Sequence, residues 1–162
     1  MRQLLSFPNP VNEVSARLVA GGVVVMAVAT LVVDQPWIMI VLAYGFVARV
    51  LTGPKLSPLG QLVTRVITPR LRFEAKWVAG PPKRFAQGMG AAFTVSAVIL
   101  HYGFGLTDAA YALIGVLIVA ATLESVFALC VGCKVFAVLM RFGIIPEEVC
   151  ERCNNIWAGA PG

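Results

Sequence analysis

The chain has 162 residues, 59% hydrophobic and 13% charged, with a formal net charge of +5 and a mean hydropathy of +0.84. Soluble domains carry about 45–50% apolar and about 25% charged residues, so this composition excludes a disordered chain, a collagen-like repeat and an ordinary cytosolic enzyme domain. It points to a membrane protein of a single domain, 1–162, long enough for about four spanning helices of ~20 residues each.

In chain order, the first charge-free run is Leu18 to Val33, between Arg17 and Asp34. Val11 to Ala16 leads into it, and together they predict a first span over 13–33. The turn Asp34-Gln35-Pro36 is short. Proline cannot continue the first helix but suits the first turn of the next, so a second span over 36–52 should fold back on the first as an antiparallel hairpin. Phe85 to Thr107 is free of Asp, Glu, Lys and Arg, and Ala109 to Leu123 is also free of them. These predict spans over 85–103 and 108–129, a second hairpin in which Thr107 is the expected N-cap of the last helix. The stretch before the first apolar run contains Glu13 and is weakly basic, so the first helix is expected to stay as an anchor rather than be cleaved. The expected fold is an all-α integral membrane protein of four transmembrane helices, with a loop over 53–84 and a tail over 130–162. Arg17-x-x-x-Gly21 and Arg84-x-x-x-Gly88 open the odd-numbered helices alike, the trace of a duplication whose axis would lie along the membrane normal.

Orientation follows from Lys and Arg in the short links. Arg49 to Arg84 carries eight basic residues (Arg49, Lys55, Arg65, Arg70, Arg72, Lys76, Lys83 and Arg84) against Glu74, while the two other links carry only Asp34, His101 and Asp108. Both termini and the central loop are therefore expected on the cytoplasmic side of a bacterial inner membrane. Trp37 and Tyr102 suit the aromatic belt of the opposite interface. Ser57-Pro58 reads as an N-cap followed by a first-turn proline, and Leu59, Leu62, Val63, Val66 and Ile67 form one stripe. A short amphipathic helix near 58–68 should thus lie in the cytoplasmic interface. Arg65, Arg70, Arg72 and Lys76 would there meet anionic lipid headgroups, worth about 1 kcal/mol each. That accounts for the positive charge without nucleic acid, for which no recognition fold or stacking pattern is present.

Two charges fall at depth. Arg49 and Glu124 lie on corresponding helices of the two hairpins, each roughly 20–24 Å below the outer surface at ~1.5 Å per residue. An unpaired charge there is costly, so an intramembrane ion pair between Arg49 and Glu124 is expected. His101 is expected to be a surface or hydrogen-bonded histidine.

All four cysteines fall in the last third, as Cys130-Val-Gly-Cys133 and Cys150-Glu-Arg-Cys153. On a reducing cytoplasmic side a structural disulfide is disfavoured. One reading is a redox or sulfur-handling dithiol, with Cys130 and Cys133 as catalytic thiols relaying to Cys150 and Cys153, and Lys134 helping to lower a thiol pKa. Such a dithiol would work with a thioredoxin-like or sulfurtransferase partner. A second reading has Cys130, Cys133, Cys150 and Cys153 holding zinc or an iron–sulfur centre in a membrane scaffold or accessory subunit. In a third the cysteines are inert core residues. A small transporter with a polar site near Arg49 and Glu124 is a further alternative. No thioredoxin-like βαβ pattern surrounds either pair.

Phe7-Pro8-Asn9-Pro10-Val11-Asn12, Gly45-Phe46-Val47-Ala48-Arg49 with Gly53-Pro54-Lys55-Leu56-Ser57-Pro58, and the segment Glu124 to Cys133 together resemble an uncharacterised bacterial integral-membrane family, domain of unknown function 4395. The resemblance covers nearly the whole chain. It implies a membrane fold and no particular reaction. The cysteine-bearing membrane hairpin is also loosely similar to small membrane modules attached to sulfurtransferases, which implies thiol or sulfur handling by analogy alone.

Overall fold

A computed structural model describes residues 10–146. The described chain is mostly helical. A two-residue strand β1 (Val11–Asn12) leads into α1 (Glu13–Val32), and α2 (Trp37–Thr52) follows after the turn at Asp34. Past a 3-10 turn come α3 (Pro58–Leu62), a π-turn at Val63–Ile67 and the single turn α4 (Thr68–Arg70). Strand β2 (Trp77–Val78) pairs antiparallel with β1, and α5 (Gly80–Val98) continues through a π-turn at Ile99–Gly103. The last elements are α6 (Thr107–Phe127) and α7 (Val131–Arg141).

Among the described residues, three helical stretches are long and apolar enough to cross a membrane: Glu13–Val32, the continuous run Trp37–Arg70 that begins with α2, and Thr107–Phe127. The predicted span at 85–103 is helical, but it is not one of these three. Its glycines and its polar Gln87, Thr94 and Ser96 dilute the apolar run.

Helix ends are set by local chemistry. The Asn12 side chain accepts from the Val14 N–H at the start of α1, and Ser57 does the same for the Gly60 N–H at the start of α3, each satisfying an otherwise orphaned donor. Pro81 and Pro82 sit in the first turn of α5, where a missing N–H costs nothing. At α6 the expectation for Thr107 is corrected. Leu106 occupies the N-cap position, and the Thr107 hydroxyl is instead bonded to His101 Nδ1 at 3.1 Å. His101 also packs edge-on against Tyr102 and parallel to Tyr111.

The expected helix near 58–68 is present, but the π-turn changes its register halfway. Val63 is buried while Leu62 and Val66 are exposed. Leu59 lies so close to α1 that a Cβ on Gly22 would meet its side chain at 2.7 Å. Arg65, Arg70, Arg72 and Lys76 are all exposed, and Lys76 also pairs with Glu13 at 3.2 Å.

Helix α1 packs along α6, and α2 along α5; α5 also touches α6 and carries α7. The shared core includes Val23, Ala27, Met39, Leu42, Phe46, Ile114 and Leu117. Gly90 permits the α2–α5 contact, since a Cβ there would overlap the Phe46 ring. The repeat signal in the sequence has a structural counterpart. Arg17 caps the carboxyl end of α6, donating to the Ser125 carbonyl at 3.1 and 3.2 Å and to that of Val126 at 3.2 Å. Arg84 caps the carboxyl end of α2, donating to the Val50 carbonyl at 3.0 Å. Each arginine meets the negative end of a helix dipole. Counting onward from these arginines, Val23, Ala27 and Thr30 of α1 stand at the same steps as Gly90, Thr94 and Ala97 of α5, and all six are buried.

Candidate functional site

The polar and nucleophilic groups gather where α2 and α6 end and α5 and α7 begin. Helix α6 closes on Ala128 in the left-handed conformation, φ 55°. The chain turns there and enters α7, with Cys130 as its N-cap. The Cys133 N–H donates to Cys130 Sγ at 3.3 Å, and the Cys133 thiol donates to the same sulfur. Both cysteines are free thiols.

Gly132 makes this placement possible. A Cβ on it would lie 2.5 Å from both Cα and Cβ of Ala86, so only glycine lets α7 lie directly on α5. Below that contact Phe136 and Met140 are buried against Ala79 and Phe85, with the Phe85 and Phe136 rings 5.6 Å apart.

The close docking brings the sulfurs to Lys83, whose charge acts on both. Cys130 is held below the usual thiol range, chiefly because it accepts the Cys133 S–H bond and with help from Lys83, against the opposing effects of burial and of Glu124. Cys133 is pushed up, because its proton is committed to Cys130 and it is largely buried. The pair is thus polarised, with Cys130 as the sulfur that ionises first. Lys134, expected from the sequence to help lower a thiol pKa, is exposed, and Lys83 of α5 is a cation whose charge acts on both sulfurs.

The predicted ion pair is also corrected. Glu124 is bound by Lys83 Nζ at 2.6 Å, not by Arg49. The Arg49 guanidinium donates to Gln87 Oε1 at 2.9 Å and to Ser57 Oγ at 3.2 Å, and sits 4.4 Å from the centroid of the Phe46 ring. The reason is the packing order. Helix α5 touches both α2 and α6, and Lys83 and Gln87 are four residues apart on one of its faces. That face supplies separate partners to Arg49 and to Glu124. Sequence reasoning counted Lys83 only as a loop cation and passed over Gln87. Their spacing at the head of an apolar helix was the signal that could have found them.

Cys150 and Cys153 lie outside the described residues. Of the four-thiolate set, the described residues therefore place only Cys130 and Cys133. Among them no group of three or more His, Cys, Asp and Glu side chains is arranged to hold a metal ion.

Two of the cavities beside the site are lined by Glu124 or Lys83. One of about 160 Å³ is largely apolar, with Phe46, Phe93, Leu117, Glu124 and Cys130 in its walls. The other, of about 320 Å³, is lined by Arg49, Lys83 and Gln87 together with residues of β1, α1 and α4. No curated protein and no solved structure matches the chain. A family model described as a domain of unknown function (DUF4395) matches residues 11–141, which takes in the helices of the described residues and the Cys130–Cys133 pair, and the chain therefore belongs to the DUF4395 family.

Proposed function

We propose that this is a four-span protein of the bacterial inner membrane, built as two antiparallel hairpins with both ends in the cytoplasm, that handles thiols or sulfur through Cys130 and Cys133. The reading takes α5 with its π-turn as the remaining span, beside the three apolar stretches. In support, Arg17, Arg49, Lys83 and Arg84 all lie at one end of the bundle, whereas Asp34 and Tyr111 are bonded to each other at the opposite end. That is the asymmetry of a positive-inside protein. Exposed Leu62 and Val66 beside Arg65 suit contact with an anionic lipid interface.

The observation that carries the chemistry is the Cys130 sulfur at the amino end of α7, accepting both an N–H and an S–H from Cys133. In the proposed cycle the Cys130 thiolate attacks one sulfur of a substrate disulfide. A mixed disulfide forms, and the other half of the substrate leaves as a thiolate. Cys133 then attacks Cys130 Sγ, its proton passing to the departing thiolate, and the second half of the substrate is released as a thiol. The substrate gains two electrons and the pair becomes a disulfide, which a thioredoxin-like dithiol partner would reduce again. A persulfide donor would enter by the same first step, with its sulfane sulfur transferred to Cys130.

The test is a trap. Cys133→Ser removes the resolving thiol, so an aromatic disulfide probe should leave a stable mixed disulfide on Cys130 in the full-length detergent-solubilised protein. In Cys130→Ser the adduct should form far more slowly. Equal adduct rates in the two variants, or none in either, would refute a nucleophilic Cys130.

A further inference from the structure

The cavity of about 320 Å³ beside Arg49 shares Lys83 with the thiol site but is lined by neither Cys130 nor Cys133. We propose that it is a binding site for a tetrahedral oxyanion, either a free ion such as sulfate or phosphate or the phosphate of a phospholipid headgroup. The first argument is Arg49 itself. Its side chain is 5% exposed, it lies within the apolar run Trp37–Arg70, and its hydrogen-bond partners, Gln87 and Ser57, are neutral. The Phe46 ring covers part of its charge. The acid whose charge reaches it, Glu124, is already bound by Lys83. A cation at such depth with no carboxylate of its own marks a functional site rather than a packing clasp.

The second argument is what else faces the space. Lys83 lines it with Arg49, and no Asp or Glu does among the described residues. Asn12, Ser15, Thr68 and Gln87 contribute neutral hydrogen-bonding groups. Asn12 is also the N-cap of the 20-residue helix α1, so the positive end of that helix dipole lies at the cavity wall. The Arg49 guanidinium, with Lys83 beside it sharing its charge with Glu124, and a rim of hydroxyls and amides at the head of α1 form a complement to a small anion. The volume is at the low end of the ~300–1,000 Å³ usual for ligand pockets, enough for an oxyanion with its waters or for a headgroup entering from the lipid interface.

The experiment is thermal unfolding of the delipidated full-length protein in a neutral detergent, in sulfate or phosphate against chloride at equal ionic strength, and with phosphatidylglycerol against phosphatidylcholine. A saturable rise in Tm of several degrees with sulfate or phosphate identifies a free oxyanion. A rise with phosphatidylglycerol alone, with that lipid retained in native mass spectra, identifies a headgroup. Either rise should be lost in Arg49→Gln, which leaves no buried ion unpaired because the partners of Arg49 are neutral. It should be lost equally in Ala16→Leu, which fills the cavity from α1 without touching the cations. No stabilisation beyond chloride and phosphatidylcholine, or stabilisation that survives in both variants, would overturn the proposal.

Discussion

Replacing Gly132 by alanine tests how the thiols are held. The added Cβ would sit 2.5 Å from Ala86 Cα and Cβ, and carbon pairs settle near ~3.5–4.0 Å. Ala86 belongs to the backbone of a packed helix, so relief has to come from α7 moving off α5 by about 1 Å. A gap of that size forfeits roughly a quarter to a half of each dispersion contact beneath it, among them Phe136 and Met140 against Ala79 and Phe85. The expected cost is about 1–3 kcal/mol, the usual range for overpacking. The same movement carries the sulfurs away from Lys83 and weakens the cation's hold on the Cys130 thiolate. Denaturant titration in detergent should show the loss of stability, and the alkylation rate of Cys130 against pH should show a midpoint moved upward. A Gly132→Ala protein as stable as the parent, with an unchanged alkylation profile, would refute the close docking of α7 on α5.

Three further outcomes are expected. In the parent protein, alkylation of Cys130 should rise with pH through a midpoint below that of an ordinary thiol, while Cys133 stays unreactive to well above it; Lys83→Gln should raise the Cys130 midpoint, because removing a cation disfavours the thiolate, and an unmoved midpoint would exclude Lys83 as its stabiliser. Lys83→Gln should also destabilise the protein by ~3–5 kcal/mol, since it strands the largely buried Glu124 carboxylate. Adding Glu124→Gln should recover much of that loss, and strictly additive losses would count against the pair. Ala128→Gly should stabilise by about 1 kcal/mol, because Ala128 is exposed and holds a left-handed φ of 55° that glycine adopts without a Cβ penalty; calorimetry in detergent showing no gain would mean that the turn relaxes.

Much of this architecture can be read from local pattern. The apolar runs bounded by Arg17, Asp34 and Asp108 become α1, α2 and α6 within a few residues, because each boundary is a charge or a turn the bilayer would exclude. The caps at Asn12 and Ser57 follow from side chains that accept backbone N–H groups. What was not legible is which helix lies beside which. Arg49 and Glu124 fall near the ends of two apolar runs, and nothing local shows that α5 touches both of their helices and provides each with a nearer partner. The same holds for Lys83, which became the cation of the dithiol only through the contact of Gly132 with Ala86. The π-turn at Val63–Ile67 also lies outside simple helical periodicity, so the stripe Leu59, Leu62, Val63, Val66 and Ile67 predicted one buried face where the structure divides it.

Matched positions on the two helix pairs account for where the polar groups sit. Arg17 and Arg84 make the same cap on opposite helices, and Met39, Leu42 and Phe46 of α2 match Ile114, Leu117 and Ala121 of α6 in step and in burial. These matched positions build a frame that either half could supply. The halves differ where polar groups stand. At the steps of Lys83 and Gln87 in α5, helix α1 has Ala16 and Ala20, and at the step of Glu124 in α6, helix α2 has Arg49. The alanines leave room, since Ala16 lines the larger cavity and Ala20 the smaller, and the polar partners at the equivalent steps of α5 project toward that room. A symmetric pair of lysines would place two cations against one carboxylate, and a symmetric pair of alanines would leave Arg49 and Glu124 without their present partners. The divergence of the two halves at these few steps thus makes space and charge coincide beside Cys130, while the shared frame holds the helices that carry them.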